Sequence, residues 1–144
     1  MLYVDYERMW DIIKKQEKEL FRLINIRDEL FTMTQPRSKT FEKEVVDTSH
    51  TNSNALESYV IKQEQYTIRI NQLNQSIDDR YQALNRKREE LRLSKNIYDK
   101  IYYLKYIEKL SIYKIALLVG YDRTSVWRHL KKIEKNITCN ILQH

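Results

Sequence analysis

The sequence predicts an all-α chain, a long coiled-coil-like helical hairpin followed by a compact C-terminal helical module, and three observations predict it. The 144 residues contain one Gly and one Pro, so the residues that punctuate strands and tight turns are nearly missing. Good helix formers such as Leu, Lys, Glu and Gln are abundant, and apolar residues recur at helical spacing along most of the chain. Three cap-like residues, Ser94, Ser111 and Asp122, crowd into one short stretch near the C-terminal end.

From Val4 to Phe31, the positions Tyr6, Met9, Trp10, Ile13, Leu20, Leu23, Ile24, Leu30 and Phe31 form an apolar stripe among charged residues. Residues 1–33 are therefore predicted as an amphipathic helix. Residues 34–54 are expected to be a flexible linker: eight of the 23 residues from 32 to 54 are Ser or Thr, and the only proline is Pro36. Asn54, with Glu57 three residues on, resembles a capping box and predicts a long helix over 55–93. Within it Leu56, Gln63, Ile70, Ile77, Leu84 and Leu91 recur every seven residues, with Tyr59, Tyr66 and Leu73 as companions until Arg80 and Lys87 break the second seam. Such a stripe fits either packing back on the first helix or pairing with a second copy of the chain.

Residues 94–144 are predicted as a trihelical unit, with Ser94, Ser111 and Asp122 capping helices over 95–108, 112–119 and 123–137. Each cap follows an apolar residue that can staple onto the new helix, Leu93 with Tyr98, Leu110 with Ile115 and Tyr121 with Val126.

The composition removes several function classes. Phosphate cradles need clustered glycines, and one glycine cannot build them. Cys139, His50, His129 and His144 are scattered, so no metal site is expected, and no cofactor either. No catalytic constellation is present, so no enzyme is expected. The apolar runs fall short of the roughly 18 residues a membrane span needs, and neither a disulfide framework nor a secretory leader can be read, which predicts a cytoplasmic protein with no membrane partner.

Charge points to a partner. Residues 1–90 carry 15 Lys+Arg and 16 Asp+Glu, net −1, whereas residues 91–144 carry 11 and 4, net +7. A basic module on a neutral body fits a polyanion, most often nucleic acid. In the segment 112–130, Ala116 is small where two helices would cross, and Gly120 stands where a tight turn wants a positive φ. Val126, Leu130, Ile133 and Ile137 form a single buried stripe. Arg123, Thr124, Ser125, Trp127, Arg128, Lys131, Lys132 and Lys135 are left outside it, an exposed face with five cations, while Glu134 is expected to point elsewhere. Trp127 is expected in the open, because Val126 beside it already faces the core and adjacent residues diverge by about 100°. His129 is expected to be a surface or phosphate-facing residue rather than a catalyst, because the motif places no carboxylate or nucleophile beside it. Most of Tyr98, Tyr102, Tyr103, Tyr106, Tyr113 and Tyr121 are expected in the core or at its rim rather than as a stacking platform for single strands.

The run from Tyr106 to Leu130, YIEKLSIYKIALLVGYDRTSVWRHL, resembles region four of bacterial sigma factors, over about residues 94–137. The resemblance implies a helix-turn-helix whose last helix enters the major groove of promoter DNA. Arg123, Thr124, Trp127 and Arg128 would then reach base edges, and Lys131 and Lys132 would meet phosphates. Ser111, Tyr113 and Lys114, with Ser125, complete the expected DNA-binding set. That family often has Gly where Lys109 stands, so the preceding helix is expected to extend or to stop in another way. The near-neutral residues 1–90 offer no equivalent of a promoter-melting domain, so a self-sufficient sigma factor is not expected. The whole layout resembles phage late-gene transcription activators of the RinA/ArpU kind. The expectation is a sequence-specific regulator of double-stranded DNA in the host bacterial cytoplasm, with RNA polymerase and a second copy of the chain as further candidate partners of the N-terminal helices. A small DNA-packaging subunit of terminase type, or a coiled-coil structural adaptor, is the alternative.

Overall fold

The computed structural model describes residues 1–34 and 49–142, and these are helical apart from short connections at 94–96, 108–111 and 120–122, with no strand among them. The helices are α1 (Leu2–Thr34), α2 (Ser49–Leu93), α3 (Ile97–Tyr102, continuing as a π-helical turn over Tyr103–Ile107), α4 (Ile112–Val119) and α5 (Arg123–Leu142). No described helix is long and apolar enough to cross a membrane. The expected linker lies mostly outside the described residues. Its last part is a correction: α2 begins at Ser49, so Asn54 is a helical position and not the cap. The Ser, Thr and Asn residues there cost only a few tenths of a kcal/mol each in a helix, about 0.7 at most, which does not forbid the extra turn.

The chain divides into two compact units, each built from parts of α1 and α2. The division differs from the one expected from sequence, because Met1–Lys14 joins Asp79–His144 in one unit while Lys15–Asp78 forms the other.

In the unit 15–78 the two helices run antiparallel. Gln16 Nε2 donates to Ser76 Oγ at 3.3 Å, and Glu19 lies 3.7 Å from Arg69. Glu19 also receives the Arg22 guanidinium at 2.6 Å, and that hydrogen bond holds its carboxyl below the usual range. Leu23, Ile70 and Ile77 are buried, whereas Leu56 at the start of the heptad stripe is exposed and Gln63 half-buried. The stripe is thus used within the chain from Ile70 onward.

In the other unit the core joins Tyr3, Val4, Tyr6 and Ile13 of α1, Leu84 and Leu91 of α2, Ile101 and Tyr102 of α3, Ile115 and Ala116 of α4, and Val126, Leu130 and Ile133 of α5. Asp99 is the buried charged residue of this core, and its two oxygens are satisfied separately. Oδ1 accepts from the Tyr3 backbone N–H at 3.2 Å, and Oδ2 accepts from the Ser94 hydroxyl at 3.1 Å. Tyr102 is stacked on Tyr3 and donates its hydroxyl to Glu7; burial, then this carboxylate, push its phenol well above the ordinary value. Asn136 Nδ2 donates to Tyr3 Oη at 2.8 Å, and Arg8 donates to Asn140 Oδ1 at 2.9 Å, which ties α1 to α5.

Two local expectations are corrected here. The cap of α3 is Asn96, whose Oδ1 accepts from Tyr98 N–H at 2.9 Å; Ser94 is engaged by Asp99 instead, and Leu93 stays exposed rather than stapling onto Tyr98. The end of α3 neither extends nor avoids the left-handed region: Lys109 itself adopts φ +58°. Backbone bonds from Glu108 to Tyr103 and from Leu110 to Leu104, each 3.0 Å, hold it there.

Candidate nucleic-acid interface

The pair α4 and α5 is positioned by caps and a turn that the sequence chemistry dictates. Ser111 Oγ accepts from Lys114 N–H at 3.3 Å and starts α4. Gly120 ends it at φ +75°, its N–H bonded to Ala116 O at 2.9 Å; an L side chain would be strained there. Asp122 Oδ1 accepts from Ser125 N–H at 3.2 Å and starts α5; hydrogen bonding from Ser125 holds this carboxylate below its ordinary range. Val126, Leu130 and Ile133 then seal one side of α5 in the core, with Ile137 half-buried behind them.

The opposite side is open. Arg123, Thr124, Trp127, Arg128, Lys131, Lys132 and Lys135 are all exposed, Trp127 at 51%, and so are Ser111, Tyr113 and Lys114 at the start of α4. Ser125 is half-buried behind the cap it donates to. The structure therefore brings nine of the ten candidate residues to the surface of two adjoining helices. Among the described residues no ion pair involves Arg123 or Arg128. Two cations of the face lie over aromatic rings: the Arg123 guanidinium is 4.7 Å from the Tyr113 ring centre, and Lys131 Nζ is 5.5 Å from that of Trp127. Lys132 Nζ is 5.7 Å from the Tyr98 ring, at the edge of the face. The first turns of α4 and α5 enclose a shallow concavity lined by Ile112, Tyr113, Arg123, Thr124 and Trp127.

Two placements differ from expectation. Glu134 does not point away: seven residues after Trp127 it returns to the same side of the helix and lies 3.6 Å from Lys131. Both side chains are more than half exposed, so the pair is worth little in water and leaves Lys131 available. His129 is not a surface group. It is half-buried between Tyr98 and Tyr121, at 4.9 and 5.6 Å between ring centres, with Nδ1 2.6 Å from Ser125 O. Tyr121, which precedes the Asp122 cap, thus leans on the second turn of α5.

Ile112 was not among the candidates, and its place in the concavity was hidden because an apolar first helical residue reads equally well as core. Among the tyrosines, Tyr102 is buried and Tyr98 and Tyr103 half-buried, while Tyr106, Tyr113 and Tyr121 reach the surface. No protein-family model, curated protein or solved structure matches this chain.

Proposed function

We propose that the chain is a sequence-specific, double-stranded DNA-binding transcription regulator, an activator of phage late genes, that reads the major groove with α5 of a sigma region four-like helix-turn-helix. One observation carries the reading: α5 is sealed along one side by Val126, Leu130 and Ile133, while Arg123 and Arg128 stand exposed on the other side, in no direct ion pair among the described residues, with Asp122 of the cap the acid whose charge Arg128 feels. Arginines left unpaired on a rigid helix are suited to bidentate contact with guanine, and the lysines beside them to phosphates. Arg123, Thr124, Trp127 and Arg128 take the base edges. Lys131 and Lys132, with Ser111, Tyr113 and Lys114 at the start of α4 and Ser125 behind the cap, take the backbone. The exposed apolar residues of the N-terminal helices, Phe21, Ile61 and Ile68 among them, are left to RNA polymerase or a second copy of the chain.

The test is a pair of variants titrated against a selected duplex at several salt concentrations. Arg128→Ala is expected to lose about 1–3 kcal/mol of discrimination at one base pair. Lys131→Ala is expected to weaken all sequences alike and to lower the salt slope by about 1. Identical behaviour of the two variants overturns this division of roles, and absence of salt-dependent duplex binding overturns the reading. A solution mass corresponding to a ring of many subunits would favour the DNA-packaging alternative.

A further inference from the structure

We propose that the concavity between the first turns of α4 and α5 holds the 5-methyl group of a thymine in the major groove, beside the base pair contacted by Arg123. The proposal rests on the DNA reading above and specifies what this part of the face recognises.

The face carries five cations, yet Ile112, Tyr113 and Trp127 bring apolar surface into the hollow, slightly more than half of its lining, beside the polar groups of Arg123 and Thr124. Tyr113 and Trp127 each leave about half their surface in water, 53% and 51%, at positions the core does not need. Phosphates are charged and hydrated, so apolar surface does nothing for them. Base edges in the major groove offer donors, acceptors and one apolar group, the thymine methyl. The apolar side chains of the hollow suit that group.

Arg123 fixes the orientation. Its guanidinium lies over the Tyr113 ring, 4.7 Å from the centre, which occupies the flat side of the fork and leaves its N–H edge for the paired acceptors of guanine. The same five residues therefore present apolar side chains and a guanine-directed fork side by side. A thymine next to a guanine is the step they complement. The cations around the hollow complement the phosphates on either side of that step.

The test uses the full chain and a duplex selected from a random pool. Each thymine is replaced by uracil in turn, which removes the methyl and leaves every hydrogen-bonding group in place. At one position, adjacent to a guanine, affinity is expected to fall about fourfold, the worth of one buried methyl group. Trp127→Ala is expected to bring that thymine-to-uracil ratio close to one. Because Trp127 is exposed, this variant is expected to keep the helical content and thermal unfolding of the parent. Trp127→Phe, which restores an apolar wall, should recover part of the ratio. If the duplex binds with a normal salt slope but no uracil substitution matters, the methyl proposal is overturned and the DNA reading stands. The same holds if the uracil effect survives intact in Trp127→Ala. Tighter binding of the separated single strand would overturn it too, since Tyr113 and Trp127 would then be stacking on unpaired bases. Absence of any salt-dependent duplex binding overturns both proposals.

Discussion

Lys109 shows what one residue can conceal. Its φ of +58° places a bulky L-residue where glycine is at ease, at a cost of about 1 kcal/mol. The residue itself does not announce this, because left-handed positions are read from Gly or Asn, and the one hint was the glycine that the resembled family often has there; the bonds from Glu108 and Leu110 hold the backbone in this conformation. Gly120, by contrast, was legible at once, being the single glycine and standing between two capped helices. Lys109→Gly is expected to raise stability by about 1 kcal/mol, less the entropy glycine adds to the unfolded chain, and urea unfolding measures it. A loss of stability would show that the lysine stem contributes packing that outweighs its backbone.

At the level of the helices, the caps of α4 and α5 could be read from sequence because their Ser and Asp side chains bond to backbone N–H groups only three residues on. The cap of α3 could not: the Ser94 hydroxyl is drawn to Asp99, ninety-six residues from the Tyr3 N–H that shares that carboxylate, and no local pattern encodes such a meeting. The stripe of α5 was legible for the same reason as its caps, since Val126, Leu130 and Ile133 repeat on one side regardless of what they touch. The Asp122 cap carries a pH signature. Its carboxyl is held below the ordinary value by Ser125, so the stabilisation is complete above that ordinary value and is lost as pH falls through the lowered one. Asp122→Ser, an uncharged cap, is expected to lose less stability than the parent between about pH 5 and pH 3, monitored by thermal unfolding. Parallel losses in the two proteins would remove the carboxylate from the cap's energetics.

Across the larger scale, the stripe of α1 was visible in sequence but its partner was not. Tyr3, Val4, Tyr6 and Ile13 cover Leu84, Leu91, Ile101 and Tyr102, so the helices carrying the proposed interface lack a complete core without the first fourteen residues. Burying those four side chains contributes roughly 6 kcal/mol or more, comparable with the whole stability of a small domain, about 5–15 kcal/mol. A peptide of residues 94–144 is therefore expected to show no cooperative thermal transition, whereas the full chain does. Cooperative melting of the isolated peptide would show that α3, α4 and α5 suffice.

The bonds from Asn136 to Tyr3 and from Arg8 to Asn140 join α1 to α5, more than 130 residues away along the chain. During synthesis α1 emerges well before α5, so its aromatic side chains wait for that helix before they find shelter. Completion of this unit is thereby deferred until α5 has been made, and a ribosome stalled before α5 would leave Tyr3 and Tyr6 uncovered for chaperones to hold.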